Sequence, residues 1–347
     1  MKENVSLRDE TTLKVGGKAR YFEVVKTEEE VARAVAYAAS RHLTIFVLGG
    51  GSNVLISDSG FSGVVIKMAT SGVFFEDPSA GEAGKSGARE DARAASGVSW
   101  DAFVAETASR GLWGLENLSG IPGTVGAAPI QNIGAYGAEA KDTIESVRAL
   151  NIKTGKEKIF SNAECQFEYR GGFFKKPEGK DYIILEVTFR LSKDPKPNIS
   201  YKDLKEYFSE DCPRNLIPRT VLGIRKAVLE IRARKFPDLS KVGTAGSFFK
   251  NPIISGAHFE KLKSKYPDLY SFPEKNGVKI PLAFVLDKIC GLKGFKKENV
   301  ELFQNQPLVL VNTGSATAKE ISNFSKEIKK VVKEKTDIDI EEEVVCI

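Results

Sequence analysis

The amino-acid sequence predicts an α+β protein made of two parts. Strand-like and helix-like patterns alternate up to residue 68, which is typical of α/β or α+β folds. Four prolines interrupt residues 195–218, and a new succession of helix and strand patterns follows. The chain has 347 residues, enough for two or three packed domains. We expect a first part over residues 1–192 with two subdomains that meet near residue 68, a linker over 193–217, and a second part over 218–347.

The first helix is predicted from a capping box. Thr27 precedes Glu30 by three residues, the spacing at which the two ends of the box bond each other's backbone. The apolar residues that follow recur at helical spacing: Val31, Ala34, Val35, Ala38 and Ala39. Short apolar runs at 42–48, 54–56 and 64–68 indicate strands.

Residues 76–95 are predicted to form an exposed loop, because they hold few large apolar side chains and many Ala, Gly and charged residues. Residues 83–86, Ala-Gly-Lys-Ser, imitate the end of a phosphate-binding P-loop. Ser79 stands where its first glycine belongs, and Pro78 separates it from any strand, so we reject that interpretation.

The later elements follow from apolar spacing and capping residues. Pro218 is typical of a helix start, and Thr317 with Glu320 forms a second capping box. The expected elements are a helix at 100–110, strands at 147–152 and 182–191, a helix at 219–235, a helix at 282–290, a strand at 308–311 and a helix from 317.

Composition excludes several kinds of function. The 51 basic and 46 acidic residues give a net charge of +5, which suits an anionic ligand but is too weak for a nucleic-acid binder. The polar start and the short apolar runs predict neither a signal peptide nor a membrane span. We therefore expect a cytoplasmic monomer with no nucleic-acid or membrane partner.

Histidine and cysteine are too scarce for metal or triad chemistry. Two His and four widely spaced Cys disfavour a zinc site, a disulfide framework and a Ser-His-Asp triad: His42, His258, Cys165, Cys212, Cys290 and Cys346. An enzyme of this composition relies on carboxylates, hydroxyls, Arg and Lys, or on a cofactor.

Two glycine-rich stretches interrupt the predicted elements. Residues 49–53, Gly-Gly-Gly-Ser-Asn, follow a strand and indicate either a cradle for phosphate or a tight turn that needs positive φ. Residues 120–137 contain five glycines and two prolines. This density indicates either backbone packed against something flat or an irregular core loop, and it lacks the G-x-G-x-x-G pattern of a dinucleotide fold.

Five stretches together resemble the UDP-N-acetylenolpyruvoylglucosamine reductases, the MurB family of FAD enzymes within the vanillyl-alcohol-oxidase-like flavoproteins. The resemblance runs from about Leu13 to the last residues. The stretches are LGGGSNVL at 48–55, GIPGTVGAAPIQNIGAYG at 120–137, EYR at 168–170, GSFFKNP at 246–252 and IEEEV at 340–344.

The resemblance implies a two-part FAD-binding domain followed by a smaller α/β substrate-binding domain. It implies non-covalent FAD, with NADPH as the hydride donor. The implied reaction reduces the enolpyruvyl ether of UDP-N-acetylglucosamine to UDP-N-acetylmuramate for peptidoglycan synthesis, with the two substrates taking turns in one pocket. Two alternatives are an FAD-dependent oxidase of the same broad group and a binding module that has lost catalysis.

The resemblance also assigns cofactor contacts. Residues 49–53 correspond to the pyrophosphate loop, and parts of 121–136 line the cofactor. The implied cofactor-binding residues are Gly49, Gly50, Gly51, Ser52, Asn53, Ile121, Pro122, Gly123, Gly126, Asn132, Gly134 and Tyr136.

Three residues match the catalytic positions of the family. Arg170 would stabilise charge on the substrate carboxylate, Ser247 would protonate the neighbouring carbon, and Glu343 would act beside the arginine. Without the resemblance, Arg170 would be interpreted as a surface arginine, Ser247 as a turn hydroxyl and Glu343 as part of a solvated edge strand.

Only the family register selects Glu343 over Glu341, since alternation puts both on one face, opposite Ile338 and Ile340. Glu342 stands where many relatives have proline, a departure from the family pattern next to Glu343.

Four further positions match substrate contacts: Tyr201, Lys235, Asn251 and Gln306. Tyr201 corresponds to a tyrosine on a loop that closes over the substrate, and the presence of residues 175–203 indicates the loop-bearing (type I) subclass. Lys235 alone also fits a solvated cation at the end of a helix.

Overall fold

The computed structural model describes residues 1–77, 89–209 and 218–347. The strands are β1 (Lys2–Ser6), β2 (Lys18–Val25), β3 (Ile45–Leu48), β4 (Val54–Leu55), β5 (Phe61–Met68), β6 (Val73–Glu76), β7 (Arg89–Ala95), β8 (Gly134–Ala135), β9 (Ala138–Glu139), β10 (Ile144–Asn151), β11 (Glu157–Ser161), β12 (Tyr182–Ser192), β13 (Gly243–Ser247), β14 (Ile253–Ile254), β15 (Phe272–Glu274), β16 (Gly277–Lys279), β17 (Lys296–Lys297), β18 (Val300–Leu302), β19 (Val309–Asn312) and β20 (Val345–Cys346).

The α-helices are α1 (Glu28–Ser40), α2 (Trp100–Ser109), α3 (Lys202–Tyr207), α4 (Val221–Lys235), α5 (Gly256–Lys265), α6 (Leu282–Phe284) and α7 (Ala318–Thr336). A π-helical turn at Val285–Ile289 continues α6. Short 3-10 turns lie at Arg8–Glu10, Glu116–Leu118, Val125–Ala127, Ala140–Asp142, Phe173–Lys175 and Glu178–Asp181.

The described chain divides into two compact units, each assembled from separate stretches. The first unit comprises Met1–Glu3, Tyr21–Gly50 and Ser62–Arg232, and the second comprises Asn4–Arg20, Gly51–Phe61 and Ala233–Ile347. This division differs from the bounds predicted from the sequence at 192 and 218. Those bounds were set by the prolines, whereas the units follow where each segment buries its apolar side chains.

Two sheets contribute strands to the first unit. A four-stranded sheet has the order β1-β2-β5-β3, with β3 and β5 parallel. The helix α1 packs its Val31, Ala34 and Ala38 in a core with strand residues Val64 and Ile66. The predicted start of α1 is confirmed: Thr27 accepts a hydrogen bond from the backbone N–H of Glu30, while the Glu30 carboxylate accepts one from the N–H of Lys26, one residue before the position that a capping box uses.

The second sheet of this unit has five strands in the order β11-β10-β12-β7-β6, all antiparallel. The loop predicted at 76–95 is therefore wrong over residues 89–95, which form β7. The sequence misled because the buried residues of this strand, Ala92 and Ala94, are small, while its charged residues pair across the sheet, as Asp91 does with Arg190. The Ala-Gly-Lys-Ser tetrapeptide lies outside the described residues.

The remaining helices of the first unit pack around α4. Its buried residues Ile224 and Val228 lie in one cluster with Leu204 and Tyr207 of α3. The described part of the predicted linker over 193–217 thus contains a helix that is packed by its own apolar side chains. The helices predicted at 100–110 and 219–235 are confirmed as α2 and α4.

The second unit has its own core beneath the antiparallel sheet β13-β19-β18-β17. Leu13, Val15 and Leu55 join that core, which explains why the N-terminal stretches belong to this unit. The helix α7 begins at the predicted capping box and buries Ile321, Phe324, Ile328 and Val332. A small sheet, β14-β16-β15, and the parallel pair β4–β20 complete the unit.

Candidate active site

The two glycine-rich stretches meet in the first unit. A Cβ on Gly50 would lie 2.7 Å from the Cα of Gly123, and a Cβ on Gly49 would lie 2.6 Å from the Oγ1 of Thr124. The Gly123 carbonyl accepts a hydrogen bond from the Trp100 N–H at 3.1 Å. Gly50 packs against backbone and Gly49 against the Thr124 side chain, so neither position has room for a Cβ. Neither residue has a positive φ, so a tight turn is not the reason for glycine at these two positions.

Positive φ is required one residue later, in the second unit. Gly51 has φ +63°, and a Cβ there would lie 2.1 Å from the carbonyl oxygen of Glu10. Its own carbonyl accepts a hydrogen bond from Thr12 N–H at 3.0 Å. The backbone turns sharply at Gly51, and Ser52 and Asn53 follow the turn.

The second glycine-rich stretch is fixed at its start by α4 and α2. The Gly120 N–H donates to Asp101 at 2.6 Å, and the Gly120 carbonyl accepts from Arg232 Nε at 3.0 Å. Arg225 forms a bidentate pair with Asp101 and holds the pKa of that carboxyl below its usual value. Arg232 was not predicted from the sequence. The available signal was its position four residues after Val228, which puts a cation on the apolar stripe of the helix.

Tyr136 lies beside Arg232, which bonds the Gly120 carbonyl. It is buried, and that burial raises the pKa of its hydroxyl to about 12. The Tyr136 and Tyr201 rings meet edge to face with centroids 5.5 Å apart. Tyr201 is the residue before α3 and is 44% exposed, so part of its side chain remains open to solvent while it contacts Tyr136.

Asn132 organises the turn within the second family motif and connects that motif to the third. It is fully buried, and its amide donates to Glu139 at 3.0 Å and to the carbonyl of Glu168 at 3.2 Å, while its oxygen accepts from Lys141 N–H. The structure therefore gives this side chain a positioning role within the protein.

Arg170 is brought to Gly134 by that turn. Its Nη2 donates to the Gly134 carbonyl at 2.8 Å, and a Cβ on Gly134 would come within 3.0 Å of its Nη1. Its backbone has φ +54°, a left-handed conformation that is costly for a residue with a side chain. Arg170 is half-buried rather than on the open surface, and the strained backbone aims it at the glycine-rich stretch.

In the second unit, a bulge presents Ser247. The register of β13 against β19 shifts between Thr244 and Ser247, and Gly246 within the shift has φ +74°. The next two residues, Phe248 and Phe249, are buried and anchor the strand end. Ser247 is thus a half-buried residue at an irregular strand end, a more specific placement than a turn hydroxyl.

The C-terminal segment runs beside Ser247 as an added strand. The Glu343 N–H donates to the Phe248 carbonyl at 2.8 Å, and the Lys250 N–H donates to the Glu341 carbonyl at 3.0 Å. On its other side, the Val345 N–H donates to the carbonyl of Asn53 at 3.0 Å. The second unit therefore joins three predicted motifs: the end of the first glycine-rich stretch, Ser247 and Glu343.

The two candidate carboxylates differ in environment. Glu341 has a 77% exposed side chain and an ion pair with Lys250 at 3.1 Å, whereas Glu343 is half-buried. Ile338, Ile340 and Val344 are buried on the opposite face, as alternation predicts. Burial beside Phe248 favours Glu343 as the functional carboxylate.

The remaining predicted substrate contacts of the second unit lie at loop ends. The Asn251 side-chain oxygen accepts from the Leu282 N–H at 2.9 Å at the start of α6. The Asn305 amide donates to the Arg234 carbonyl at 3.0 Å, which brings the neighbouring residues Lys235 and Gln306 into one region. Both are half-buried.

Among the described residues, no group of His, Cys, Asp and Glu is arranged to hold a metal ion. No helix of the described ranges combines the length and apolarity needed to cross a bilayer.

The fold and the glycine-rich backbone define a flavin-dependent enzyme of two parts. A family model described as an FAD binding domain matches residues 19–161, and one described as the C-terminal domain of UDP-N-acetylenolpyruvoylglucosamine reductase matches residues 238–347. The chain belongs to the UDP-N-acetylenolpyruvoylglucosamine reductase family. The predicted fold class is thereby confirmed.

Relatives of that name match almost the whole chain. The reductase of Bdellovibrio bacteriovorus is 39% identical, with 97% of this chain and 96% of the relative covered. That of Pseudomonas putida is 37% identical, with 98% and 97% covered. The crystal structure of the Thermus caldophilus enzyme is 25% identical, covers 99% of this chain and 98% of its own, and superposes with a TM-score of 0.66.

Proposed function

We propose that this chain is an FAD-dependent reductase that uses NADPH to reduce the enolpyruvyl ether of UDP-N-acetylglucosamine to UDP-N-acetylmuramate. The observation that carries the proposal is the hydrogen-bonded pairing of the segment after Ser247 with the segment that holds Glu343, in a chain similar to such reductases over its full length. We place the enzyme in the cytoplasm, as a monomer, in the synthesis of peptidoglycan precursors.

The first unit fits FAD because its glycine-rich stretches form a surface of bare backbone. A Cβ at Gly49 or Gly50 would collide with the 123–124 backbone and side chain, so the surface stays flat. Backbone amides of such loops bind phosphate oxygens without the repulsion of a side chain. When bound, FAD supplies the redox centre between NADPH and the alkene.

Arg170 stabilises the charge that develops on the substrate. Addition of hydride to the outer alkene carbon sends electrons into the substrate carboxylate, and a guanidinium donates charge-assisted hydrogen bonds to such an anion. The strained backbone of Arg170 and its bond to the Gly134 carbonyl fix the side chain before substrate arrives. This arrangement removes the cost of organising the arginine during the reaction.

Ser247 and Glu343 complete the addition. Ser247 donates a proton to the second alkene carbon, so that the alkene gains one hydride and one proton, while NADPH is oxidised to NADP⁺. Glu343 acts beside Arg170 on the substrate carboxylate. Their strand pairing through Phe248 holds both residues on one rigid edge.

Cations and amides bind the rest of the substrate. Lys235 and Gln306, which neighbour the Arg234–Asn305 hydrogen bond, contact the diphosphate sugar together with Asn251. Tyr201 closes over the bound substrate from its exposed position before α3. We therefore assign this chain to the loop-bearing subclass, and Tyr201 is the residue that supports the assignment.

The test is anaerobic spectroscopy of the purified protein. We expect a yellow flavin spectrum, bleaching on addition of NADPH, and recovery of the colour on addition of the enolpyruvyl sugar nucleotide. Protein without flavin, or reduced flavin that the sugar nucleotide does not reoxidise, contradicts the proposal. Recovery with oxygen alone would instead support the alternative of an oxidase.

A further inference from the structure

The C-terminal strand carries a charged residue on its inward face. Alternation puts Glu342 on the side of Ile340 and Val344, which are 5% and 4% exposed. A carboxylate on a buried face is costly unless it has partners of opposite charge or hydrogen-bond donors. Glu342 is 25% exposed, so its partners decide whether the strand is stable there.

The partners of Glu342 come from α7. The Ser325 hydroxyl donates to one carboxylate oxygen at 2.8 Å, and the ammonium group of Lys329 donates to the other. Ser325 and Lys329 are four residues apart and therefore lie on one face of the helix. Burial raises the pKa of the Glu342 carboxyl, but the bonds from Lys329 and Ser325 outweigh it and hold that pKa below its usual value.

The backbone on both sides of Glu342 is part of the proposed site. Glu342 pairs with Phe249 in the added strand, and the Glu343 N–H donates to the carbonyl of Phe248, next to Ser247. A strand held along its edges by short hydrogen-bond runs still needs a contact that fixes its rotation. The two hydrogen bonds from Ser325 and Lys329 to the Glu342 carboxylate, here called the grip, provide that contact, because rotation of the strand about its axis would break both bonds.

We propose that Glu342 is a positioning residue, held by Lys329 and Ser325, that sets the place of Glu343 relative to Ser247. This inference rests on the proposed function. Its consequence is specific: loss of the grip slows the transfer to the sugar nucleotide, in which Glu343 and Ser247 act, and leaves the reduction of the flavin by NADPH unchanged. A displacement of reacting groups by about 1 Å costs up to about a hundredfold in rate.

The test uses Lys329→Met in the full-length flavin-loaded protein, with Lys330→Met as the matched control. Lys330 is the next residue of α7, and its 76% exposed side chain pairs with Glu334 at 3.8 Å, away from the strand. Stopped-flow absorbance measures the two half-reactions separately. We expect Lys329→Met to slow reoxidation by the sugar nucleotide about tenfold, with unchanged reduction by NADPH, unchanged flavin content and a control at the wild-type rate.

A charge exchange provides the second arm. The double variant Glu342→Lys with Lys329→Glu restores an ion pair between the same positions, and we expect it to recover most of the lost reoxidation rate. Hydrogen exchange provides a third readout that needs no substrate: the amides of Glu343 and Val345 should exchange faster in Lys329→Met than in the control.

The outcomes separate the two proposals. Wild-type protein whose reduced flavin is not reoxidised by the sugar nucleotide contradicts the proposed function, and hydrogen exchange then still tests the grip. Unchanged exchange, an unchanged reoxidation rate in Lys329→Met, or equal slowing of both half-reactions with loss of flavin would overturn the positioning role.

Discussion

The glycine-rich backbone of the first unit and the C-terminal strand of the second unit are held by different kinds of contact. At Gly49 and Gly50 the backbone is fixed by close approach, with no space for even a methyl group. At Glu342 and Glu343 the strand is fixed by hydrogen bonds and an ion pair that reach it from neighbouring elements.

The difference predicts how each region responds to substitution. Close backbone packing fails as a whole when a side chain is inserted, because a well-packed neighbour shifts only at a cost. A strand held by separate polar contacts loses function in steps, one contact at a time. Substitutions should therefore remove the cofactor in the first region and slow the chemistry in the second.

The largest effect is expected for Gly50→Ala. The new Cβ would lie 2.7 Å from the Cα of Gly123, and the resulting overpacking costs about 3 kcal/mol. We expect most of the bound flavin and a large part of the thermal stability to be lost. Flavin absorbance per mole of chain and the Tm measure both.

Gly256→Ala is the matched control, since a Cβ there meets no atom within 4 Å. It should keep the flavin and the wild-type Tm. A Gly50→Ala protein with full flavin content would show that the close approach of the two glycine-rich stretches does not shape the cofactor surface.

Arg170→Ala separates binding from chemistry within the first region. Removal of a preorganised donor to a developing anion costs about 10² to 10³ in turnover. Flavin should remain bound, because Arg170 contacts the Gly134 carbonyl at the edge of the stretch and not its packed backbone. Steady-state turnover and the flavin spectrum are the measurements.

The control for this change is Arg148→Ala, which removes ion pairs to Glu28 at 2.5 Å and to Glu157 at 3.0 Å on the same unit. We expect a lower Tm with unchanged turnover. Loss of flavin in Arg170→Ala would move that residue from the chemistry to the cofactor surface.

Glu343→Gln, compared with Glu341→Gln, tests which carboxylate of the C-terminal strand acts in the reaction. We expect turnover to fall about a hundredfold, while Glu341→Gln, at a 77% exposed site, leaves turnover within a factor of two. Both variants should retain flavin and fold normally. Equal losses in the two variants would show that the burial of Glu343 does not decide which carboxylate acts.

Parts of the fold followed from the sequence because their signals are local. The capping residues Thr27 and Thr317 mark real helix starts, since each accepts a hydrogen bond from the backbone N–H three residues later. The glycine-rich stretches were recognisable because backbone packing demands one residue type. The strand β7 was not recognisable, because its buried face consists of Ala92 and Ala94 and one of its two pairing partners, β12, lies about a hundred residues away.

The site was less predictable than the fold. Resemblance supplied Arg170, Ser247 and Glu343, but local patterns alone favoured neither Glu343 nor Glu341. The structure separates them by exposure: the Glu341 side chain is 77% exposed, whereas Glu343 is half-buried beside Phe248, a neighbour 95 residues away that no local rule contains. Arg232 has the same character, since it bonds Gly120 on a distant segment, and the partners of Glu342 lie on α7, 13 and 17 residues earlier, beyond the reach of local strand patterns.

The smallest effect is expected at Asp101, which joins the two kinds of contact. Its carboxylate accepts from Arg225 at 2.6 Å and from the Gly120 N–H, so a polar contact fixes the start of the packed backbone. Asp101→Asn should lower the Tm by about 2–4 °C, since a partly exposed charged pair is worth about 1 kcal/mol.

The pH dependence of that difference has a defined sign. The pKa of Asp101 is lowered by the Arg225 hydrogen bond, so the carboxylate stabilises the fold above the unfolded pKa of about 3.9, and the contribution is lost as the pH falls through the folded pKa. The Tm gap between wild type and Asp101→Asn should be constant from pH 8 to about pH 5 and shrink below about pH 4. If the Tm difference persists undiminished in acid, the shape of the Asp101 side chain and not its charge stabilises the fold. The contact of Asp101 with the Gly120 N–H would then act by packing, as the glycine-rich backbone does.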